Sequence, residues 1–312
     1  MISQKSRRAV RRILGARRSP RTIAELWQDQ SRALIAAMLL VRLFYVCLFF
    51  IVIQTYPSWA PWLRATDLQL LWPVAWFRIT GTHAGVVTVL FFAPASALFA
   101  AIKPDSRLAR ILAAIGILVF GGFFNSFGTV NHGLHTWIWT AIVFIFLPSG
   151  DANAMELSLV RRQRYLRVFW WAQATVLFFY TLSGSFKLAG AFLQIARHQH
   201  SAFSIDALAR HLAYRLQEGM LMDASMFGAK VIAHPILGWP LLLFSIYLEF
   251  FSLLIAFRPA AHRLWGVLLI LMHVGIYLTL AIMFSWQLFL VGILLVCSPF
   301  APQSRASTNR LN

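Results

Sequence analysis

Residues 33–54 read ALIAAMLLVRLFYVCLFFIVIQ, and this stretch decides the fold class. It is an apolar run of the length a helix needs to cross the ~30 Å hydrocarbon core of a bilayer, broken by one cation, Arg42. Eight basic residues precede it between Lys5 and Arg21. A cleavable leader has a shorter apolar core and a small-residue cleavage site, so the pattern predicts an uncleaved signal anchor behind a cytoplasmic basic arm, residues 1–32. The arm lacks interleaved aromatics, which argues against nucleic acid and for anionic lipid as its partner.

The rest of the chain repeats the theme. Further apolar runs lie near 84–102, 109–127, 133–148, 168–190, 236–257, 264–281 and 284–300. With 59% hydrophobic and 12% charged residues, too little polar surface exists to coat a water-soluble globule of 312 residues. The expectation is an all-α integral membrane protein, a bundle of about eight transmembrane helices spanning 33–300. The segment from Leu68 to Arg78, with Trp72, Pro73 and Trp76, reads as an interfacial helix.

Charge sets the expected topology. The formal charge is +18, from 28 Lys and Arg against ten acids. With the N-terminus inside, nine cations fall in 1–32, three in Lys103–Arg110, four in Arg161–Arg167, two at Arg258 and Arg263, and two in the tail 301–312. Seven fall on the other side, Lys187 among them. This asymmetry places the N- and C-termini in the cytoplasm. The expected location is a plasma or inner membrane, with the endoplasmic reticulum second. Cys47 and Cys297 sit in separate runs and form no redox or metal motif.

The only sizeable polar segment is 191–235, expected on the outer side. Within it Ser204–Glu218 reads as an amphipathic helix. His198, His200, His211 and His234 lie there without a spacing that fixes a metal geometry, and no metal is predicted. Trp59, Trp62, Trp137, Trp139, Trp170 and Trp171 read as an interfacial aromatic belt.

Ionisable residues inside apolar runs are costly, and each is a functional candidate. Counting ~1.5 Å per residue puts Arg42, Glu249 and His273 in one plane, about 12–14 Å from the inner face. They are expected to meet as an intramembrane polar cluster, either an interhelical ion-pair group or a proton- or ligand-handling site. A second group lies near the outer face: Asn131, His132 and His135 before the fourth run, and Lys187 at the end of the fifth. Tyr180, Ser183, Gly184 and Lys187 share one helical face at i, i+3, i+4, i+7, where the small residues admit a neighbouring helix or a flat ligand. Lys187 either snorkels its ammonium to the headgroups or, turned inward and desolvated, acts as a base.

These same residues carry a family resemblance. Val41-Arg42-Leu43-Phe44, Asn131-His132 with Trp137, Tyr180-Thr-Leu-Ser-Gly-Ser-Phe-Lys187-Leu188, and Glu249 followed by His273, Phe284-Ser-Trp and Cys297-Ser-Pro299 resemble motifs of the vitamin K-dependent gamma-carboxylase-like membrane family. The membrane part that this family shares is called the HTTM domain. Order and spacing agree from about residue 24 to 300. The family pattern has Ala where Ser183 stands, and Phe186 beside the lysine is a further departure.

The resemblance implies an enzyme: a quinol epoxidase or gamma-glutamyl carboxylase. Its cofactor would be reduced vitamin K or another lipid-soluble quinol, entering from the bilayer. Lys187 would be the base that deprotonates the quinol, oxygen converting it to an epoxide, and His132 its hydrogen-bonding partner. Asn131, His135, Tyr180, Ser183 and Gly184 would line the substrate site. A secreted peptide or protein on the outer side would be the acceptor, with 191–235 standing in for the lumenal domain of the carboxylase. Twelve residues follow the last apolar run, so the expectation is a compact form without that domain. The competing expectation is a non-catalytic membrane factor for maturation, export or immunity of such a secreted partner.

Overall fold

A computed structural model of the chain describes residues 23–55, 68–128, 132–150, 158–218 and 225–300, with side chains from Ser31 onward. Asn131, Trp59, Trp62, the arm before Ile23 and the tail 301–312 lie outside the described residues. Every regular element among those described is helical. The main helices are α1 (Ile23–Ile53), α2 (Thr82–Ile102), α3 (Arg107–Phe124), α4 (His135–Phe144), α5 (Leu159–Ala196), α6 (Ala207–Gln217), α7 (Met226–Ala233), α8 (Gly238–Ala256), α9 (His262–Leu280) and α10 (Ser285–Val291). A π-helical turn, Gly292–Val296, continues α10.

Six of these helices are long and apolar enough to cross a membrane: α1, α2, α3, α5, α8 and α9. The expected runs 133–148 and 284–300 form shorter helices. α4 has only 10 residues, about 15 Å of regular helix. A 3₁₀ turn, His132–Leu134, precedes it, and i→i−3 amide bonds carry the chain on to Leu147, where Pro148 stops it. In the last run, the Cys297 amide bonds the Gly292 carbonyl in a π turn, and Gln173 of α5 donates to the Leu294 carbonyl at 2.5 Å. The expected interfacial helix at Leu68–Arg78 is a 3₁₀ turn, Trp72–Val74, and a single helical turn, Phe77–Thr80.

Small residues let the helices approach. A seam of Ala93, Ala97, Ala100 and Ala101 on α2 is buried, and so are Ala109, Ala113 and Ala114 on α3. A Cβ on Gly116 of α3 would sit 2.3 Å from Ser96 Oγ and 3.2 Å from Ala93 Cα, so glycine is required for that contact. This is how apolar helices associate in lipid, where packing replaces the hydrophobic drive. Around the seam an aromatic core forms. Phe44 stacks on Trp137 with centroids 5.0 Å apart, and Phe144 meets Phe44 edge-on. Trp137 is fully buried and donates its indole N–H to the Trp286 carbonyl at 3.1 Å. It is therefore a core residue and not part of an interfacial belt. Trp139 and Trp171 do face outward.

A small second core lies where the 191–235 segment folds back. Leu208, Ala209 and Leu212 of α6 pack with Val231 of α7 and Leu280 at the end of α9. The amphipathic helix expected at Ser204–Glu218 is thus present as α6, capping one end of α8 and α9.

The opposite end is closed by cations and amides. Buried Arg110 donates to the carbonyls of Pro104 and Leu147, each at 2.6 Å, and to Ser149 Oγ at 3.1 Å. Buried Arg162 donates to Ser31 Oγ at 2.7 Å. His262 lies between the Ile255 carbonyl and Ser298 Oγ. These bonds tie the starts of α1, α3, α5 and α9 to the ends of α4, α8 and the π turn.

Candidate functional site

The site forms where α5 and α8 run antiparallel. Gly184 makes that contact possible: a Cβ there would fall 2.5 Å from the Phe250 amide nitrogen and 2.8 Å from its Cα. Backbone therefore meets backbone, and Thr181 Oγ1 takes advantage by accepting a hydrogen bond from the Leu253 amide at 2.8 Å. In this register Lys187 stands a little further along α5 than Glu249 does on α8. Side chains lean toward the N-terminus of their own helix, and in an antiparallel pair that tilts these two toward each other.

They meet. Lys187 Nζ lies 2.6 Å from both Oε1 and Oε2 of Glu249. The Glu249 side chain is 6% exposed and that of Lys187 44%, so the carboxylate is inside the protein while the lysine reaches it from the edge. Ser183 Oγ donates weakly to Oε2 at 3.4 Å.

One turn back on the same face of α5, Tyr180 is buried with its hydroxyl 2.6 Å from His273 Nε2 of α9. Gln287 of α10 lies near the Tyr180 side chain, and Thr136 of α4 donates to Gln287 Oε1 at 2.8 Å. The His273 ring lies 5.1 Å from that of Phe284. Glu249 is close enough to act electrostatically on Tyr180, and Lys187 on His273. Five helices thus contribute to one polar group set within an apolar bundle.

This arrangement merges the two groups expected from the sequence and redistributes their members. Glu249 and His273 belong to the site, and so do Tyr180, Ser183, Gly184 and Lys187. Arg42 does not join them: it is exposed on α1, and among the described residues the ionic partner of Glu249 is Lys187. Depth counting grouped Arg42 with Glu249 and His273, but depth does not say which helices pack side by side, and it is α5 that meets α8 at this level. The exposed His132 and the partly buried His135 face each other, Nδ1 to Nδ1 at 3.3 Å, at the start of α4. Thr136, which follows His135 in the chain, bonds Gln287, but among the described residues no hydrogen bond or ion pair joins His132 or His135 to Lys187. Among the described residues no three His, Cys, Asp or Glu side chains converge as a metal site would need.

Sequence reading missed Gln287 and Thr136. A glutamine inside the last apolar run was the available signal for the first. Thr136 carried none beyond its place next to His135.

What the group can do follows from its chemistry. Lys187 and Glu249 can hold one proton on either partner, and the Tyr180–His273 pair offers a second short path for proton movement. No protein-family model matches the chain, and no curated protein or solved structure shows significant similarity to it.

Proposed function

We propose that this protein is a membrane enzyme of the vitamin K-dependent gamma-carboxylase-like kind, acting on a lipid-soluble quinol with dioxygen and using Lys187 as its base. The observation that carries the reading is the Lys187–Glu249 pair, an amine held on both oxygens of a buried carboxylate beside the Tyr180–His273 pair. In this reading the chain crosses a plasma or inner membrane about eight times with both ends in the cytoplasm. The site then lies toward the outer side, where a secreted peptide or protein would be its acceptor.

The residues present fit a flat, oxygen-bearing lipid. His273 Nδ1 is buried without a hydrogen-bond partner among the described residues, Phe284 packs beside that ring, and Lys187 is reached from the edge of the bundle. When bound, the quinol supplies the oxidisable ring, which with one dioxygen gives its epoxide and one water. Glu249 takes the ammonium proton from Nζ, which leaves Lys187 a neutral amine able to accept a proton from a substrate hydroxyl. Ser183 steadies the carboxylate during that exchange. Apolar walls exclude water and keep the proton on these groups.

A second reading uses the same bond differently. As a static clamp between α5 and α8, the pair would serve a non-catalytic membrane factor. Incubation of the purified protein with reduced vitamin K and dioxygen, with chromatography for the epoxide, separates the two. Under the enzymatic reading wild-type protein yields epoxide, while Lys187→Ala and Lys187→Arg lose it, because a guanidinium is not deprotonated in proteins. Undiminished epoxide from Lys187→Arg would refute the base assignment. Absence of epoxide from folded wild-type protein, with several quinols, would select the clamp.

A further inference from the structure

The candidate site leaves Arg42 outside it. The side chain is exposed midway along Ser31–Ile53, the apolar part of α1. Among the described residues it has no hydrogen-bond or ion-pair partner. A guanidinium in hydrocarbon is costly and does not shed its charge, so something outside the bundle answers it. The surface around it narrows the choice. Ile35, Leu39, Leu43 and Phe50 are exposed. Spaced by four, four and seven residues, they form one stripe along α1, and Arg42 falls on the same face. Every exposed side chain from Ile35 to Phe50 is large. Where helices of this chain press together they do so on small residues, the alanine seam of α2 and α3 and Gly184 of α5, as helices in lipid do. The stripe is thus shaped for flexible chains rather than for another backbone.

Direction matters too. Side chains on a helix lean toward its N-terminus, so Arg42 leans toward exposed Arg32, which lies on the same side of α1 about 15 Å nearer that end. Arg32 stands where the apolar stretch begins. A long cation leaning toward the nearer headgroup layer draws a phosphate in to meet it. We propose that Arg42 binds the phosphodiester of an anionic phospholipid in the leaflet on the N-terminal side of α1, with the acyl chains lying along Leu43 and Phe50. The guanidinium suits this ligand, because its planar fork gives two parallel N–H donors to two phosphate oxygens. A net-negative lipid supplies the missing charge, whereas the choline of a zwitterionic lipid offsets its own phosphate. The site is separate from Lys187 and Glu249 and stands whether or not quinol chemistry occurs there.

The test uses the full chain purified in detergent and observed by native mass spectrometry. Dioleoylphosphatidylglycerol is the anionic probe and dioleoylphosphatidylcholine the zwitterionic one. Wild-type protein should retain phosphatidylglycerol about tenfold more tightly than phosphatidylcholine, and Arg42→Gln should lose about that factor, the worth of one charged hydrogen-bonded pair. Arg42→Lys, which keeps the charge without the fork, should fall between them. Arg107→Gln removes an exposed cation at the start of α3 and should change nothing. Equal retention by wild type and Arg42→Gln overturns the proposal. So does an equal loss in Arg107→Gln, which would mark a diffuse charge effect.

A wild-type measurement decides even where Arg42→Gln fails to fold. Phosphatidylglycerol with a diazirine in one acyl chain, cross-linked to the protein in nanodiscs, should label α1 between Leu39 and Phe50. Labelling confined to other helices overturns the proposal. Wild-type protein that is dimeric in zwitterionic nanodiscs, with Arg42→Gln monomeric there, would assign the face to a second copy of the chain and overturn it as well.

Discussion

Two regions of the bundle hold a cation on protein oxygens, one buried and one at the edge, in opposite ways. At one end the Arg110 guanidinium donates hydrogen bonds to the carbonyls of Pro104 and Leu147 and the hydroxyl of Ser149. A guanidinium does not give up its proton and these oxygens do not take one, so the arrangement is fixed. In the other half of the bundle the Lys187 ammonium rests on a carboxylate, a group that does accept a proton, 2.6 Å away. Arg110 is buried and Lys187 is partly exposed, yet each cation is held by oxygens of the bundle. What differs is whether the partner can exchange a proton, and that difference separates a fastening from a candidate site.

Under the proposed function, the largest effect expected from this contrast is on quinol epoxidation. Lys187→Arg keeps the charge and the pairing but removes the exchangeable proton, and should lower quinol epoxidation by about 100-fold or more. Arg110→Lys at the other end should leave epoxidation within about twofold while lowering the thermal midpoint in detergent, because an ammonium cannot reach the three oxygens that the planar fork serves. Equal losses of activity in the two variants would break the comparison.

Gly184→Ala comes next and touches both packing and chemistry. The added methyl meets the Phe250 backbone, which cannot swing aside as a side chain would. Overpacking of this kind costs about 1–3 kcal/mol. The variant should unfold at lower temperature and lose activity together, since α8 must shift and carry Glu249 with it. Unchanged stability would mean that α5 and α8 are not in backbone contact.

At the fixed end, Arg110→Met leaves the Leu147 and Pro104 carbonyls without their donor and should cost about 1–3 kcal/mol in unfolding measurements, with no change in the pH profile of activity. A shifted pH profile would show that this end, too, handles protons.

The smallest expected effect concerns Arg42. In a double-mutant cycle of detergent-solubilised protein, Arg42→Gln and Glu249→Gln should add to within about 0.5 kcal/mol, as sites without a shared partner do. Lys187→Met with Glu249→Gln should be strongly non-additive. Coupling between Arg42 and Glu249 would restore the cluster that depth counting suggested.

Much of the fold was legible because a bilayer leaves a helix little freedom. Each apolar run became a helix, and the charge-free lengths of 84–102 and 264–281 located α2 and α9 to within a few residues. The alternation of apolar and polar residues in Ser204–Glu218 located α6 as well. Boundaries failed where something other than hydropathy set them. α5 extends through polar residues at both ends because nothing in its sequence stops a helix before Arg197, and α4 is short because Pro148 does stop it.

The candidate site was only half legible. Costly polar residues in apolar runs flagged Glu249, His273 and Lys187 individually, since each needs a partner in lipid. Which partner each would find was a matter of register between helices, and register leaves no trace in the hydropathy of either helix alone. Gly184 pressed against the Phe250 backbone sets that register, bringing Lys187 to Glu249 and leaving Arg42 outside. Thr136 and Gln287 meet across 151 residues of sequence for the same reason. By itself, then, the amino-acid sequence determined that this chain folds as apolar helices carrying a few expensive polar side chains, because a helix satisfies its backbone hydrogen bonds within each apolar run. The pairing of those side chains was decided by the tertiary structure alone, because it depends on how closely and in what alignment two backbones can pack.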